Sequence, residues 1–223
     1  MSFIPKVLII AGSDSGGGAG IQADIKTTSY FNGYAMTAIT AITAQNTIGV
    51  QSIYPLPKEI VMEQINSITT DLSPDIVKIG MLADLDIIEY ISKKISNYKI
   101  VLDPVMVATS GDVLVSDEVV SSIKNNLINK SFLITPNIYE AEILSENKIN
   151  CLEDQIEAGK KLLKLGCKHV LVKGGHGNSD IINDVLITSS GDEYIFESKK
   201  IISKNTHGTG CSLASAIATN IGL

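Results

Sequence analysis

Cys211 stands between two unlike stretches, the turn Asn205-Thr206-His207-Gly208-Thr209-Gly210 and the small-residue apolar run Ser212-Leu213-Ala214-Ser215-Ala216-Ile217-Ala218. Glycines at 208 and 210 free the backbone to turn its N–H groups outward, and the run beyond reads as a helix whose first turn adds unsatisfied donors and a positive dipole end. The spacing predicts an anion site built from Gly208, Thr209 and Gly210, with a thiol inside it. A thiol at a helix N-terminus has its thiolate favoured, so Cys211 is expected to keep some thiolate at neutral pH and to take a proton or attack a substrate. The plainer alternative is a packed loop followed by a core cysteine.

A second glycine loop, Gly12-Ser13-Asp14-Ser15-Gly16-Gly17-Gly18-Ala19-Gly20, follows the apolar run Val7–Ala11 and opens a helical pattern. Gly18, Gly20 and Ala23 satisfy the G-x-G-x-x-A spacing of dinucleotide binders, but such a site needs an acidic residue about 20 positions further on, and none lies between Ile25 and Lys58. The Walker pattern is absent as well, so any ATP is held without a P-loop. Lys173 closes the apolar run His169-Val170-Leu171-Val172, where desolvating a cation is costly unless an anion such as phosphate answers it. Asp103 before Pro104 and Glu140 just past Asn137 are carboxylates at strand exits, the hard oxygen ligands that Mg²⁺ takes alongside phosphates. A helix-start carboxylate explains Glu140 equally well. His169 reads as structural, and the loop histidines 176 and 207 carry little weight.

These residues share a rim only if a particular architecture positions them. Strand-like runs at 7–11, 37–44, 76–79, 100–102, 132–134 and 170–172 alternate with helical patterns at 22–31, 57–70, 85–95, 119–127, 139–144 and 152–165. That alternation predicts a single α/β domain over residues 1–223, a three-layer sandwich with helices on both faces of a mostly parallel sheet. Near the C-terminus, 185–188 and 194–197 flank Ser190-Gly191-Asp192 and read as a hairpin. In an open parallel sheet, ligands bind beyond the carboxyl ends of the strands, which is where the glycine loops, Gln45, Met81, Asp103, Asn137 and Lys173 all fall.

The formal charge of −6, with no lysine or arginine run, excludes nucleic acid and anionic membrane as obvious partners and leaves small-molecule chemistry. No apolar run approaches membrane-spanning length. The three cysteines form no C-x-x-C pair, against a disulfide framework or a zinc knuckle, and point to the reducing cytoplasm.

Taken together, the chain resembles the hydroxymethylpyrimidine/phosphomethylpyrimidine kinases of thiamine biosynthesis, within the ribokinase-like superfamily. The resemblance runs from Val7 to the last residues. It rests on the stretch Ala11 to Asp24, Ala44-Gln45-Asn46, Lys78-Ile79-Gly80-Met81, Asp103-Pro104-Val105, Thr135-Pro136-Asn137, Val172-Lys173-Gly174-Gly175-His176 and His207-Gly208-Thr209-Gly210-Cys211. It implies ATP-dependent phosphorylation of 4-amino-5-hydroxymethyl-2-methylpyrimidine and then of its monophosphate, with Mg²⁺, in a homodimer. Gln45 would read the pyrimidine edge, with Gly12, Val107 and Asp24 at the same pocket and Met81 against the ring. Asp103 and Glu140 would organise Mg²⁺, Asn137 and Thr209 would face the phosphates, Lys173 would clamp them, and Cys211 would be the base. The family continues some tens of residues past the last helix, so the C-terminal part here is either natively short or missing from the sequence, and true absence would leave the adenine side open. Two other readings remain: a pyridoxal/pyridoxine kinase, and a pyrimidine-binding module without catalysis.

Overall fold

The computed structural model describes residues 3–106, 114–175, 180–203 and 205–223. Strands β1 (Lys6–Asp14), β2 (Tyr34–Gln45), β4 (Ile76–Ile79), β5 (Lys99–Leu102), β6 (Leu133–Ile134) and β7 (His169–Val172) run parallel, while β3 (Val50–Pro55), β8 (Ile181–Thr188) and β9 (Glu193–Lys199) run antiparallel to their neighbours. They form one nine-stranded sheet in the order β3-β2-β1-β4-β5-β6-β7-β8-β9. The expected hairpin is present and longer than the apolar runs alone indicated. The strand β3 was not anticipated, because its residues are mostly exposed and carry no alternating apolar face.

Period-two side-chain alternation splits the core into two layers. Leu8 and Ile10 of β1 join a cluster with Val61 and Ile65 of α2 (Lys58–Asp71), Ile87, Ile88 and Ile91 of α3 (Leu85–Lys94), and Val119 and Ile123 of α4 (Asp117–Asn126). Ala141 and Leu144 of α5 (Ile138–Ser145) and Leu162 of α6 (Leu152–Leu163) complete that side. Val7, Ile9 and Ala11 point the other way, against Ile21 of α1 (Gly20–Tyr30) and Ala214 and Ala218 of α7 (Thr209–Gly222). Small residues at 214 and 218 let α7 lie close to the sheet. This is the three-layer sandwich that the alternation predicts.

The connections place the site. From β1 the chain passes through α1 to β2 and β3, then returns through α2 to β4 on the opposite side of β1. The winding therefore reverses between β1 and β4, and a crevice opens beyond their carboxyl ends. Gly12 and Met81 meet there, and a Cβ on Gly12 would lie 2.7 Å from Met81 Cε. At the far side, the buried Gln155 of α6 donates to the carbonyls of Val172 (2.9 Å) and Asn183 (2.8 Å), tying the ends of β7 and β8 together.

Gly159 lets α6 approach β8 closely enough for that tie, since a Cβ there would come within 2.9 Å of Ile187 Cγ1. Glycine in a helix interior usually costs roughly 0.5–1 kcal/mol relative to alanine, whereas overpacking a filled core costs about 1–3 kcal/mol. The second effect should win. Gly159→Ala is expected to lower the midpoint of chemical denaturation, and a raised midpoint would show that the helix can move away freely.

Candidate active site

The strand exits enclose a cavity of about 790 Å³. Gly12, Gln45 and Met81 line one end, Cys211 and the 208–210 turn lie in the middle, and Lys173, Asp103, Asn137 and Glu140 close the wall beyond. Ten of the sequence-predicted site residues thus share one cavity, together with Thr209. Val107 and His176 lie outside the described residues. Among the described residues, no helix is long and apolar enough to cross a membrane.

The two glycine turns are one structure. Asp14, at the end of β1, accepts hydrogen bonds from the N–H groups of Gly16 (2.8 Å), Gly18 (3.0 Å) and Ala19 (2.8 Å). His207 Nε2 lies 2.8 Å from the same carboxylate. Burial alone would raise the Asp14 pKa, but His207 and the three N–H groups outweigh it and hold the carboxyl below its ordinary value. Gly208 follows with φ +79°, and a Cβ there would strike the Gly18 carbonyl, so only glycine lets the turn close on the loop. Neither Asp14 nor His207 stood out in the sequence as a site residue, though an aspartate heading three glycines is a recognisable loop organiser.

On the cavity wall, Lys173 Nζ donates to Asp103 Oδ1 at 2.8 Å, and Thr135 Oγ1 donates to the same oxygen at 3.0 Å. Burial opposes the charge on both partners. The attraction of Lys173 and Lys78 nevertheless holds Asp103 below its ordinary value, and Asp103 with Glu140 holds Lys173 above its own. Glu140 forms a capping box with Asn137, accepting from its N–H at 2.8 Å while Asn137 Oδ1 accepts from the Glu140 N–H at 3.0 Å. The helix-start explanation of Glu140 therefore holds, yet the carboxyl also lines the cavity. Burial pushes it up to about 7; Lys173 pulls down and Asp103 pushes further up.

Two expectations are corrected. Asp24 does not line the cavity: it is fully buried beneath it, with both carboxylate oxygens on Lys78 Nζ at 2.9 and 2.8 Å and Ser215 Oγ donating at 2.7 Å. Nor is the Cys211 thiol lowered by its helix end. Burial pushes it up to about 11; Lys78 works against that, and Asp24 and Asp103 add to it. Cys211 is half-buried, and desolvation outweighs the helix dipole there.

The sheet order, with paired glycine turns and a lysine–aspartate pair at the strand exits, matches the ribokinase-like kinase structures that this chain resembles. The phosphomethylpyrimidine kinase family model matches residues 14–223, and the chain belongs to that family. The hydroxymethylpyrimidine/phosphomethylpyrimidine kinase of Bacillus subtilis is 48% identical over 218 residues, spanning 96% of this chain and 80% of that relative. Among solved structures, phosphomethylpyrimidine kinase from Clostridium difficile superposes with a TM-score of 0.85 at 40% identity, over 99% of this chain and 91% of that one. An ADP complex of Bacillus subtilis pyridoxal kinase gives 0.90 at 36% identity, over 99% and 85%.

The elevated Glu140 pKa makes stability depend on pH. The folded protein holds this proton up to about 7 while the unfolded chain releases it near 4.5, so folding loses stability as pH rises between those values. Gln at this position keeps the capping box and removes the charge. In metal-free protein, Glu140→Gln should gain thermal stability over the parent on going from pH 5 to pH 8. An equal difference at both pH values would contradict the burial argument.

Proposed function

We propose that this protein transfers the γ-phosphoryl group of ATP to the hydroxymethyl group of 4-amino-5-hydroxymethyl-2-methylpyrimidine, and then to the resulting monophosphate. The observation that carries this reading is the joining of an amide-lined pocket to an anion turn within one cavity, with Lys173 and Asp103 on its wall. Gln45 is suited to the ring because an amide offers donor and acceptor side by side to an aminopyrimidine. Its side-chain amide lies 3.0 Å from Thr43 Oγ1, a hydroxyl that also reaches the Ser13 carbonyl at 2.8 Å. Met81 and Gly12 supply a thin apolar wall against the ring faces.

Transfer through a loose transition state needs alignment and charge stabilisation more than covalent chemistry. The N–H groups of the turn at 208–211 and the Lys173 ammonium receive the developing charge on the phosphoryl oxygens. Asp103 and Glu140 would hold Mg²⁺, with Asn137 and Thr209 facing the phosphates. The donor set fits that ion: two buried hard-oxygen ligands face one lysine, and Glu140 is driven toward neutrality unless further positive charge arrives. When bound, the ion supplies charge neutralisation at the phosphates. Cys211 accepts the hydroxyl proton late in the step. With the thiol pushed up to about 11, little of it is thiolate at pH 7, so the base role predicts a rate that climbs with pH.

Pyridoxal phosphorylation is the second reading, favoured by the likeness to the pyridoxal kinase complex, since both rings present a hydroxymethyl group. Gln45 and Met81 favour the pyrimidine. A homodimer belongs to the same proposal, checked by light scattering.

Incubation with Mg-ATP and each ring, followed by chromatography of the products, tests the reading. The pyrimidine mono- and diphosphates are expected, and binding of the pyrimidine without product would replace the kinase with a binding module. Cys211→Ala should lower kcat about 10²-fold or more with the ATP KM little changed. The parent's kcat should rise from pH 7 to 9 while the variant's stays flat. Parallel profiles would remove Cys211 as the base.

A further inference from the structure

Among the described residues Lys78 is the largest side chain with no solvent exposure. It sits in the four-residue strand β4, whose other members, Ile76, Val77 and Ile79, are apolar core. A buried ion pair of this kind adds little to stability, because an apolar pair of similar volume folds as well or better. Its position needs another reason. A Cβ on Gly80 would stand 3.1 Å from Lys78 Nζ, so the ammonium reaches the floor of the cavity, which it lines together with Asp103 and Cys211. The residues that aim it are Asp24 on α1 and Ser215 on α7. Ser215 lies four residues beyond Cys211 and hence on the same face of the helix. The charged and titratable groups around the floor are thus Lys78, Asp24, Asp103, Lys173 and Cys211.

We infer that Lys78 is a positioning residue for phosphoryl transfer: Asp24 and Ser215 hold its ammonium beneath the turn, where it steadies the negative charge that develops at Cys211 and on the transferring oxygens. This rests on the transfer reading above. Lys78 is held firmly protonated by the Asp24 carboxylate despite its burial, so the charge is constant across the working pH range.

The test replaces the pair rather than breaking it. Lys78→Met combined with Asp24→Asn removes both charges, keeps a partner for Ser215 and leaves no orphan ion. The double variant is expected to melt within a few degrees of the parent, to lose about 10²-fold in kcat, and to keep both KM values within about threefold. In a Cys151→Ser background, alkylation of Cys211 by iodoacetamide at pH 8.5 should slow, because the loss of Lys78 outweighs the loss of Asp24 at the thiol. Parental kcat in the double variant would overturn the proposal, as would a loss of kcat matched by an equal rise in KM. Should the double variant fail to fold, Ser215→Ala decides: a several-fold fall in kcat at unchanged KM supports the aiming role, and parental kcat overturns it. If the parent makes no phosphorylated product, the transfer reading fails, and the alkylation rate alone decides whether Lys78 acts on Cys211.

Discussion

The carboxylate of Asp14 is the interaction on which the rest of the site depends. It gathers three backbone N–H groups of the first glycine loop and the His207 ring into one cluster, across 193 residues of chain. Without it, the loop after β1 and the turn before α7 would be two mobile glycine segments on a common rim. With it, the backbone of Gly208 packs on that of Gly18, and the α7 N-terminus faces the crevice between β1 and β4. A carboxylate is well suited to the task because it accepts several N–H bonds at once, and its low pKa keeps it ionised where a neutral group would not hold a histidine.

Around that cluster, charge is distributed in pairs that leave little unanswered. Lys173 meets Asp103 on the wall, and Lys78 meets Asp24 beneath the floor. Glu140 is the exception, a buried carboxyl beside another acid, and its elevated pKa marks the place where more positive charge is wanted. The same crowding raises the Cys211 thiol. The raised Glu140 carboxyl and the raised Cys211 thiol therefore have one origin, the desolvation of charge at this wall of the cavity.

Much of this was legible in the sequence. Apolar runs alternating with helical spacing revealed a parallel sheet, and the polar strand exits named most of the cavity wall. The edge strand β3 escaped because an exposed strand carries no buried face to read. Asp24 was misplaced for a different reason. It lies on the buried face of α1 with Ile21 and Thr28, and only the fold reveals that the residue opposite is a lysine inside a core strand. Cys211 was read correctly as lying at a helix N-terminus and incorrectly as having a lowered pKa, because burial is a property of tertiary packing and the dipole is local. His207 looked isolated since its partner lies near the other end of the chain.

The central claim is that the turn at 208–211 and Lys173 together receive the group being transferred. A crystal structure of the protein with the pyrimidine and a non-hydrolysable ATP analogue measures this directly. The account predicts the terminal phosphoryl group within hydrogen-bonding distance of the turn's N–H groups and of Lys173 Nζ, with the pyrimidine hydroxymethyl oxygen in line and beside Cys211. A terminal phosphoryl group bound away from the turn, with the ring hydroxyl pointing elsewhere, would contradict it.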